Sequence, residues 1–444
     1  MRDATTIFAL STAPGRGALA VFRISGPAAG DVIERMAGPR PPARAAGLRI
    51  IRHPETREAL DQGLVLWFPA PRSETGEDLA ELHVHGGRAV AQAMLRAIGA
   101  VPGTRMAEPG EFARRAFENG KIDLTQAEAI ADLVDAETEA QARQALRQAG
   151  GGLARLYEGW RTELIEALAL MEAAIDFSDE GDVGDKTARG ARVRVEALAD
   201  KIQRHLDDGR RGEILRDGFH VVIAGPPNVG KSSILNAMVQ REAAIVSEEA
   251  GTTRDVIEVR MDLGGLPVVL SDTAGIRETE GKIEREGIRR TIARARDADL
   301  VLWLMDATAP EPDLPANLAA HGGKVFRVLN KVDLVGGGAR GEPGWLPLSL
   351  RTGEGLAEVT KAIEAEARER IGATEAPVIT QARHRQQLEA CAEALGDYLR
   401  GSLVETELRA EDLRRAAMAL GRITGRVDVE DVLDQIFGRF CIGK

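Results

Sequence analysis

The run Gly225-Pro-Pro-Asn-Val-Gly-Lys-Ser232 follows directly on the apolar stretch "FHVVIA" and opens a predicted helix, "KSSILNAM". Glycines at its two ends let the backbone curl, so that successive N–H groups and the helix N-terminus converge on phosphate oxygens. Lys231 adds a cation there and Ser232 offers a hydroxyl to Mg²⁺. The pattern is informative because a strand precedes it and a helix follows it. The phosphate-binding set comprises Asn228, Val229, Gly230, Lys231, Ser232 and Ser233.

The same strand–helix alternation continues over residues 216–375. "FHVVIAG", "VVLSDTAG", "LVLWLMDA" and "VFRVLNKVD" are short apolar runs, each followed by loop residues or a helical pattern. This predicts a parallel sheet with helices on both faces. Residues 5–119 mix strand-like runs ("GALAVFRIS", "GLVLWF", "LAELHVH") with a Pro/Ala/Gly connector, "AGPRPPARAAG", at 37–47, and predict a second α/β domain. From about 120 to 215 Ala, Leu, Glu, Gln and Arg dominate, and Leu153, Leu156, Trp160, Leu164, Leu168 and Met171 recur at helical spacing. The chain is helical again after Thr380. The economical architecture is α/β plus all-α: an N-terminal α/β domain over 1–119, a discontinuous helical domain over 120–215 and 376–444, and a Ras-like P-loop domain inserted at 216–375.

With 444 residues the chain is too long for one ordinary core. No stretch reaches the ~18–20 uninterrupted apolar residues of a membrane span, and the N-terminus lacks the pattern of a signal peptide, so no membrane role and a cytoplasmic location are expected. Cys391 and Cys441 are the two cysteines, too few for a disulfide framework. A net charge of −11 excludes wholesale coating of nucleic acid and leaves room only for a local basic patch.

Downstream motifs specify the nucleotide. Asn330-Lys331-Val332-Asp333 follows the strand "VFRVL". The carboxylate of Asp333 can accept from the N1–H and exocyclic amine of guanine, two donors that adenine lacks on that edge, so GTP is expected and ATP excluded. Asp272, Thr273, Ala274 and Gly275 end the strand "PVVLS", where Asp272 can hold the Mg²⁺ shell and the Gly275 N–H can sense a γ-phosphate. Between them, Ser247, Glu248, Glu249, Ala250, Gly251, Thr252 and Thr253 lie in "SEEAGTTRD", whose threonines can close over the triphosphate, Thr253 on Mg²⁺. Ser349-Leu350-Arg351 stands where such domains read Ser-Ala-Lys or Ser-Ala-Arg. After "DTAG", where Ras-type enzymes carry a water-orienting glutamine, this chain has Ile276, so hydrolysis needs help from elsewhere. Two candidates remain open on the residues alone. One is a monovalent cation that Asn228 can ligate; the other is an acid in "RETEGKIEREG", among Glu278, Glu280, Glu284 and Glu286.

"GPPNVGKSS", "AGTTRD", "DTAG" and "NKVD" occur together with "TIFALSTAPGRGALAVFRISG", "GEDLAELHVHGG" at 76–87, "EPGEFARRAFENGKIDLTQAEAIADLVDA" at 108–136 and the terminal "FCIGK". On these strings the chain closely resembles the MnmE (TrmE) family of tRNA modification GTPases, nearly end to end. The resemblance implies an N-terminal domain that dimerises the protein and binds a reduced folate, 5-formyl- or 5,10-methylene-tetrahydrofolate. It implies a homodimer working with the flavin-dependent partner MnmG to install aminomethyl or carboxymethylaminomethyl groups on C5 of the wobble uridine, U34, of certain tRNAs. It further implies GTP hydrolysis stimulated by K⁺ through pairing of GTPase domains. Carried over, Asn228, Ser247, Glu249 and Thr252 would surround K⁺, Ser232 and Thr253 would ligate Mg²⁺, and Glu284 would orient the attacking water. Arg23, Glu81, Lys121 and Lys444 would bind folate: a carboxylate suits the pterin edge and cations suit the glutamate tail. Cys441 beside that folate is a candidate reactive thiol, against the alternative of a small buried thiol ending a helix. His83 and His85 share a strand face but lack a third ligand for a metal. A ribosome-assembly GTPase would share the motifs from 225 to 333 but would leave Arg23, Glu81 and "CIGK" without a role.

Overall fold

The computed structural model describes residues 5–176, 181–241, 258–272, 298–309, 323–335, 344–372, 376–402, 405–427 and 430–444. It divides into two compact units, one of residues 1–131, 149–158 and 421–444, the other of 132–148 and 159–420.

The first unit is built on a six-stranded sheet of order β3-β4-β5-β2-β1-β6. Its strands are β1 (Thr6–Leu10), β2 (Leu19–Ser25), β3 (Gly47–Arg52), β4 (Ala59–Phe68), β5 (Leu79–His85) and β6 (Thr104–Met106). All neighbours run antiparallel except β1 and β6. Period-two alternation gives each strand two faces. Ala20, Phe22 and Ile24 of β2 turn inward with Val65, Leu82 and Val84, and helices α1 (Ala29–Ala37) and α2 (Arg88–Gly99) close this core through Val32, Ile33, Met36, Met94 and Ile98. Arg23, Glu81 and His83 therefore belong to the opposite face, where Arg23 and Glu81 are cross-strand neighbours. On that side Phe112, from α3 (Glu111–Glu118), packs with Ile7, Ala9 and Ala107.

The chain's C-terminus belongs to this unit. After α4 (Leu124–Asp135), α5 (Glu139–Ala149) and the helices described below, the last helix, α13 (Glu430–Phe437), joins Ala113, Leu124 and Ala127 in one apolar cluster. Beyond it Ile442 bridges to Pro109, Phe112 N donates to Lys444 O at 3.2 Å, and Ser11 Oγ donates to Gly443 O at 3.1 Å. Gly443 has φ +101°, and a Cβ there would meet Leu10 O at 2.7 Å, so this approach requires glycine.

The second unit holds the other sheet, of order β12-β11-β10-β7-β9-β8. Its strands are β7 (Phe219–Ala224), β8 (Glu258–Leu263), β9 (Leu266–Asp272), β10 (Leu300–Asp306), β11 (Lys324–Asn330) and β12 (Trp345–Pro347). The sheet is parallel, as expected, except that β8 returns antiparallel to β9 as an edge. Phe219, Val221 and Ile223, with Leu300, Leu302 and Leu304, pack on one face against α8 (Arg211–Asp217), α9 (Lys231–Arg241) and α10 (Leu356–Ile371). Helices on both faces were expected; the described ones cover this face, while Ala224, Val301, Trp303 and Val325 cluster on the other.

The long helices are α6 (Gly152–Asp176), α7 (Gly181–Leu206), α11 (Ala382–Arg400) and α12 (Thr406–Thr424). In α6 the buried positions are Leu153, Tyr157, Trp160, Leu164, Ala167, Met171 and Ala174. This corrects the stripe read from sequence: Leu156 and Leu168 are half-buried, and Tyr157 and Ala167 take their places. Steps of four and three alternate, which keeps a 3.5-residue seam toward packed neighbours; choosing the larger apolar residues shifts the stripe off it. Ala188, Ala191, Val195, Leu198 and Ile202 repeat the spacing on α7, which packs along α11.

Candidate functional site: a nucleotide pocket and a polar sheet face

In open α/β sheets ligands bind beyond the carboxyl ends of the strands, where the strand order reverses. Here β7 stands between β9 and β10, and the ends of β7, β9, β10 and β11 supply the phosphate loop, Asp272, Asp306 and Asn330.

The loop is shaped by backbone demands at its glycines. Gly225 (φ +151°) lies so close to β10 that a Cβ would fall 2.3 Å from Leu304 O, and at Gly230 (φ +102°) a Cβ would fall 2.6 Å from Asn330 Nδ2. Asn228 is exposed, in the left-handed region at φ +63°. Val229 is buried, its carbonyl accepting from Asn330 Nδ2 at 2.7 Å. Lys231 donates to the carbonyls of Gly225 (3.1 Å) and Pro226 (2.8 Å). Ser232 and Ser233 open α9, and Ser232 Oγ donates to Asp272 Oδ2 at 2.5 Å. Asp272 is 1% exposed, so its carboxylate and the Ser232 hydroxyl form a pair of hard oxygen donors at the loop's edge.

On the base side, Ser349 Oγ donates to Asp333 Oδ1 (2.6 Å) and Arg351 Nε to Asp333 Oδ2 (2.7 Å). These bonds, with the Arg351 charge, hold the Asp333 carboxyl below the usual range. The Leu350 N–H donates to Asn330 Oδ1 at 3.4 Å, so the departure from Ser-Ala-Lys keeps a main-chain donor directed at the NKxD motif. Lys331, in the left-handed conformation at φ +66°, donates to Asp306 Oδ2 at 2.6 Å. Asp306 was missed by sequence reasoning. Its signal was its place at the end of "LVLWLMD", in register with Asn330. Burial raises its pKa, but bonds from Lys331 and from the hydroxyl and N–H of Thr308 outweigh this and bring it to about 2. Ser247, Glu248, Glu249, Ala250, Gly251, Thr252 and Thr253, and likewise Thr273, Ala274, Gly275, Ile276 and Glu284, lie outside the described residues.

The polar face of the first sheet gathers the other predicted residues. Arg23 Nη2 donates to Glu81 Oε1 at 3.3 Å, Arg23 Nη1 pairs with Glu74 Oε2 at 3.0 Å, and the guanidinium stands 5.9 Å from the Phe112 ring centre. Arg23 Nε is buried without a hydrogen-bond partner among the described residues. Glu81 also meets His83 Nε2 at 3.0 Å, while His85 pairs with Asp61 at 2.9 Å. Lys121 Nζ donates to Pro71 O at 2.9 Å, on the loop that carries Glu74. Lys444 joins through its main chain at Phe112. Cys441 is exposed and lies beyond α13, so the alternative of a buried thiol ending a helix does not hold. Cys391, by contrast, is buried, which pushes its thiol up to about 12.

A glycine-hinged phosphate loop, a carboxylate on the loop serine and an oriented NKxD carboxylate, all at the switch point of a largely parallel sheet, define a P-loop GTPase. Comparison with known proteins agrees. Residues 6–121 match the family described as GTP-binding protein TrmE N-terminus, and residues 124–441 match the MnmE helical domain. The tRNA modification GTPase MnmE of Parvibaculum lavamentivorans is 56% identical over 99% of this chain and 100% of its own length. The proteins of the same name from Methylorubrum populi (54% identical, 99% of this chain and 98% of that one) and Rhodopseudomonas palustris (51% identical, 99% of each) align similarly. Among solved structures, the G domain of the T. maritima FeoB iron transporter is 26% identical over 33% of this chain and 98% of its own, with a TM-score of 0.27. The chain belongs to the MnmE family of tRNA modification GTPases. No helix among the described residues is long and apolar enough to cross a membrane.

Proposed function

We propose that GTP hydrolysis by this chain is completed by a K⁺ ion and the Glu284 carboxylate, and that it drives a folate-dependent modification at C5 of the wobble uridine, U34, carried out in the cytoplasm with an MnmG-type flavin partner. The observation that carries the reading is Asn228. It is exposed in the left-handed region within the phosphate loop, a conformation Asn adopts more readily than other non-glycine residues, and it offers an amide side chain there in a chain whose Ile276 cannot order water. Ser247, Glu249 and Thr252 would complete the K⁺ shell. Ser232 and Thr253 would hold Mg²⁺, and the Ser232–Asp272 pair has the hard oxygens that ion prefers. Bound metal ions would neutralise charge building on the phosphates. The protein's own part is to fix those phosphates with loop N–H groups and Lys231, to select guanine through Asp333, and to orient water through Glu284.

Folate is supported by the unpaired, buried Arg23 Nε beside Glu81, a donor and an acceptor suited to a ligand bearing both carboxylates and a pterin edge. The homodimer is supported by the same sheet face, where Leu19, Leu48, Ile50 and Leu64 are 60%, 59%, 48% and 40% exposed. GTP turnover measured in KCl and in NaCl, for the natural chain and Glu284→Ala, tests the hydrolytic mechanism. High turnover is expected only for the natural chain in KCl; equal rates in the two salts would remove the cation from it.

A further inference from the structure

Residues 35–57 of the first unit carry six arginines against a single carboxylate, Glu55, in a chain whose net charge is −11. Arg40 is neutralised by Glu34 at 2.8 Å and Asp31 at 3.5 Å. Arg35, Arg44, Arg49, Arg52 and Arg57 form no ion pair among the described residues, and neither does nearby Arg72. Their hydrogen bonds go to main-chain carbonyls instead. Arg57 Nη1 donates to Arg35 O, Arg52 Nη1 to Arg57 O at 3.2 Å, Arg44 Nη2 to Arg72 O and Arg49 Nη1 to Leu48 O at 3.0 Å. A neutral acceptor fixes a guanidinium while leaving its charge uncompensated. The result is an ordered and unneutralised cationic surface, running from the last turn of α1 along the edge strand β3 to its turn into β4.

Strand β3 alone spans roughly 20 Å, long enough to face several successive phosphates. Charge on an edge strand also blocks strand addition, but any charged residue serves for that. Here every cation is arginine, whose planar fork matches phosphate oxygens, and Arg44 is held over the Phe68 ring, 6.0 Å from its centre. On an acidic molecule such a strip concentrates the field that draws a polyanion to one face.

We propose that this arginine edge holds the sugar–phosphate backbone of the tRNA substrate; the inference rests on the proposed role of the chain in wobble-uridine modification. Contacts of this kind set position and orientation and carry no base specificity. The test is binding of an unmodified tRNA transcript to the full chain across a KCl series, comparing the natural sequence with the triple variants Arg35→Gln/Arg52→Gln/Arg57→Gln and Arg35→Lys/Arg52→Lys/Arg57→Lys. Each phosphate contact contributes about 0.7–0.9 to the log–log salt slope, so the Gln variant should lose about 2 from that slope and at least about tenfold in affinity at moderate salt. The Lys variant should keep the slope, and both should keep GTP turnover and thermal midpoint. An unchanged slope in the Gln variant overturns the proposal. So does loss of binding to the flavin-dependent partner with tRNA affinity intact, which would make the edge a protein-docking surface. Failure of the natural chain to bind tRNA at all would overturn this proposal and leave the proposed hydrolytic mechanism standing, since that is read from GTP turnover alone.

Discussion

Lys331 reaches the nucleotide pocket already paired. Its ammonium meets Asp306, whose other oxygen is tied to the hydroxyl and N–H of Thr308, so the end of β10 determines where the NKxD lysine stands. Asp306→Asn should raise the GTP dissociation constant about tenfold, the scale of one charge-assisted contact, with little change in thermal midpoint; titration with a fluorescent GTP analogue reads this directly. The sign of the pH dependence follows from the depressed pKa. A carboxyl lowered to about 2 is ionised at every pH above its unfolded value, and its contribution is lost only as the pH falls toward 2. GTP affinity of the natural chain should therefore show no step between pH 5 and 8 from this group. At the same scale, Lys231, Ser232, Asp333 and the glycines of the loop were legible because their chemistry is written in adjacent residues. Asp306 and Glu74 were not, because a lone acid in a string says nothing about which cation will face it.

Helix α7 carries a half-buried histidine in its last turn. His205 sits 5.3 Å from the Trp160 ring on α6, edge-on, and burial pushes its pKa down to about 4, with Asp208 opposing and Arg385 and His384 assisting. The native state keeps it neutral where the unfolded chain, with a pKa near 6.5, takes up a proton. Stability from this group is therefore full above pH 6.5 and is lost as the pH falls through about 4. Between pH 7 and 4.5 the natural chain should lose about 2–3 kcal/mol more than His205→Gln in urea unfolding, and an NMR titration should place the imidazole midpoint near 4. Equal losses in the two chains would show that burial does not govern this imidazole. Element existence was largely readable: "FHVVIA", "PVVLS" and "LVLWLMD" are continuous apolar runs because nearly every position of these strands is buried, as parallel strands require. The edge strand β8, "EVRMDL", alternates charge with apolar residues, and β12 has three residues, so neither announced itself. The seam of α6 was displaced because packing chose Tyr157 and Ala167 by position where residue size had favoured Leu156 and Leu168.

Within the second unit the ends of the inserted GTPase domain are held by one pair of helices. Gln141 on α5 donates to Arg216 O at 2.8 Å and Gln148 to Val378 O at 3.2 Å, while Asp132 on α4 accepts from Arg216 Nε at 2.8 Å and from Gln381 Nε2 at 3.1 Å. Adjacent termini are what make an insertion tolerable, and they also give loop movements in the GTPase domain a short route into the helices. Replacing residues 217–377 with a short Gly/Ser linker should leave helical circular dichroism in proportion to the remaining helices, while abolishing both GTP turnover and tRNA modification. Modification that proceeds at the natural rate without the domain would refute the coupling. What the sequence by itself determined is local: a phosphate loop between strand and helix, the order of the guanine motifs, the succession of α/β and helical segments, all fixed by neighbours a few residues apart. Only the tertiary structure decided the company those residues keep. Arg23 with Glu74 and Glu81, Lys331 with Asp306, the unpaired arginine edge, and Ser11 against Gly443, 432 positions away, arise from packing and strand register, which no short stretch of chain contains.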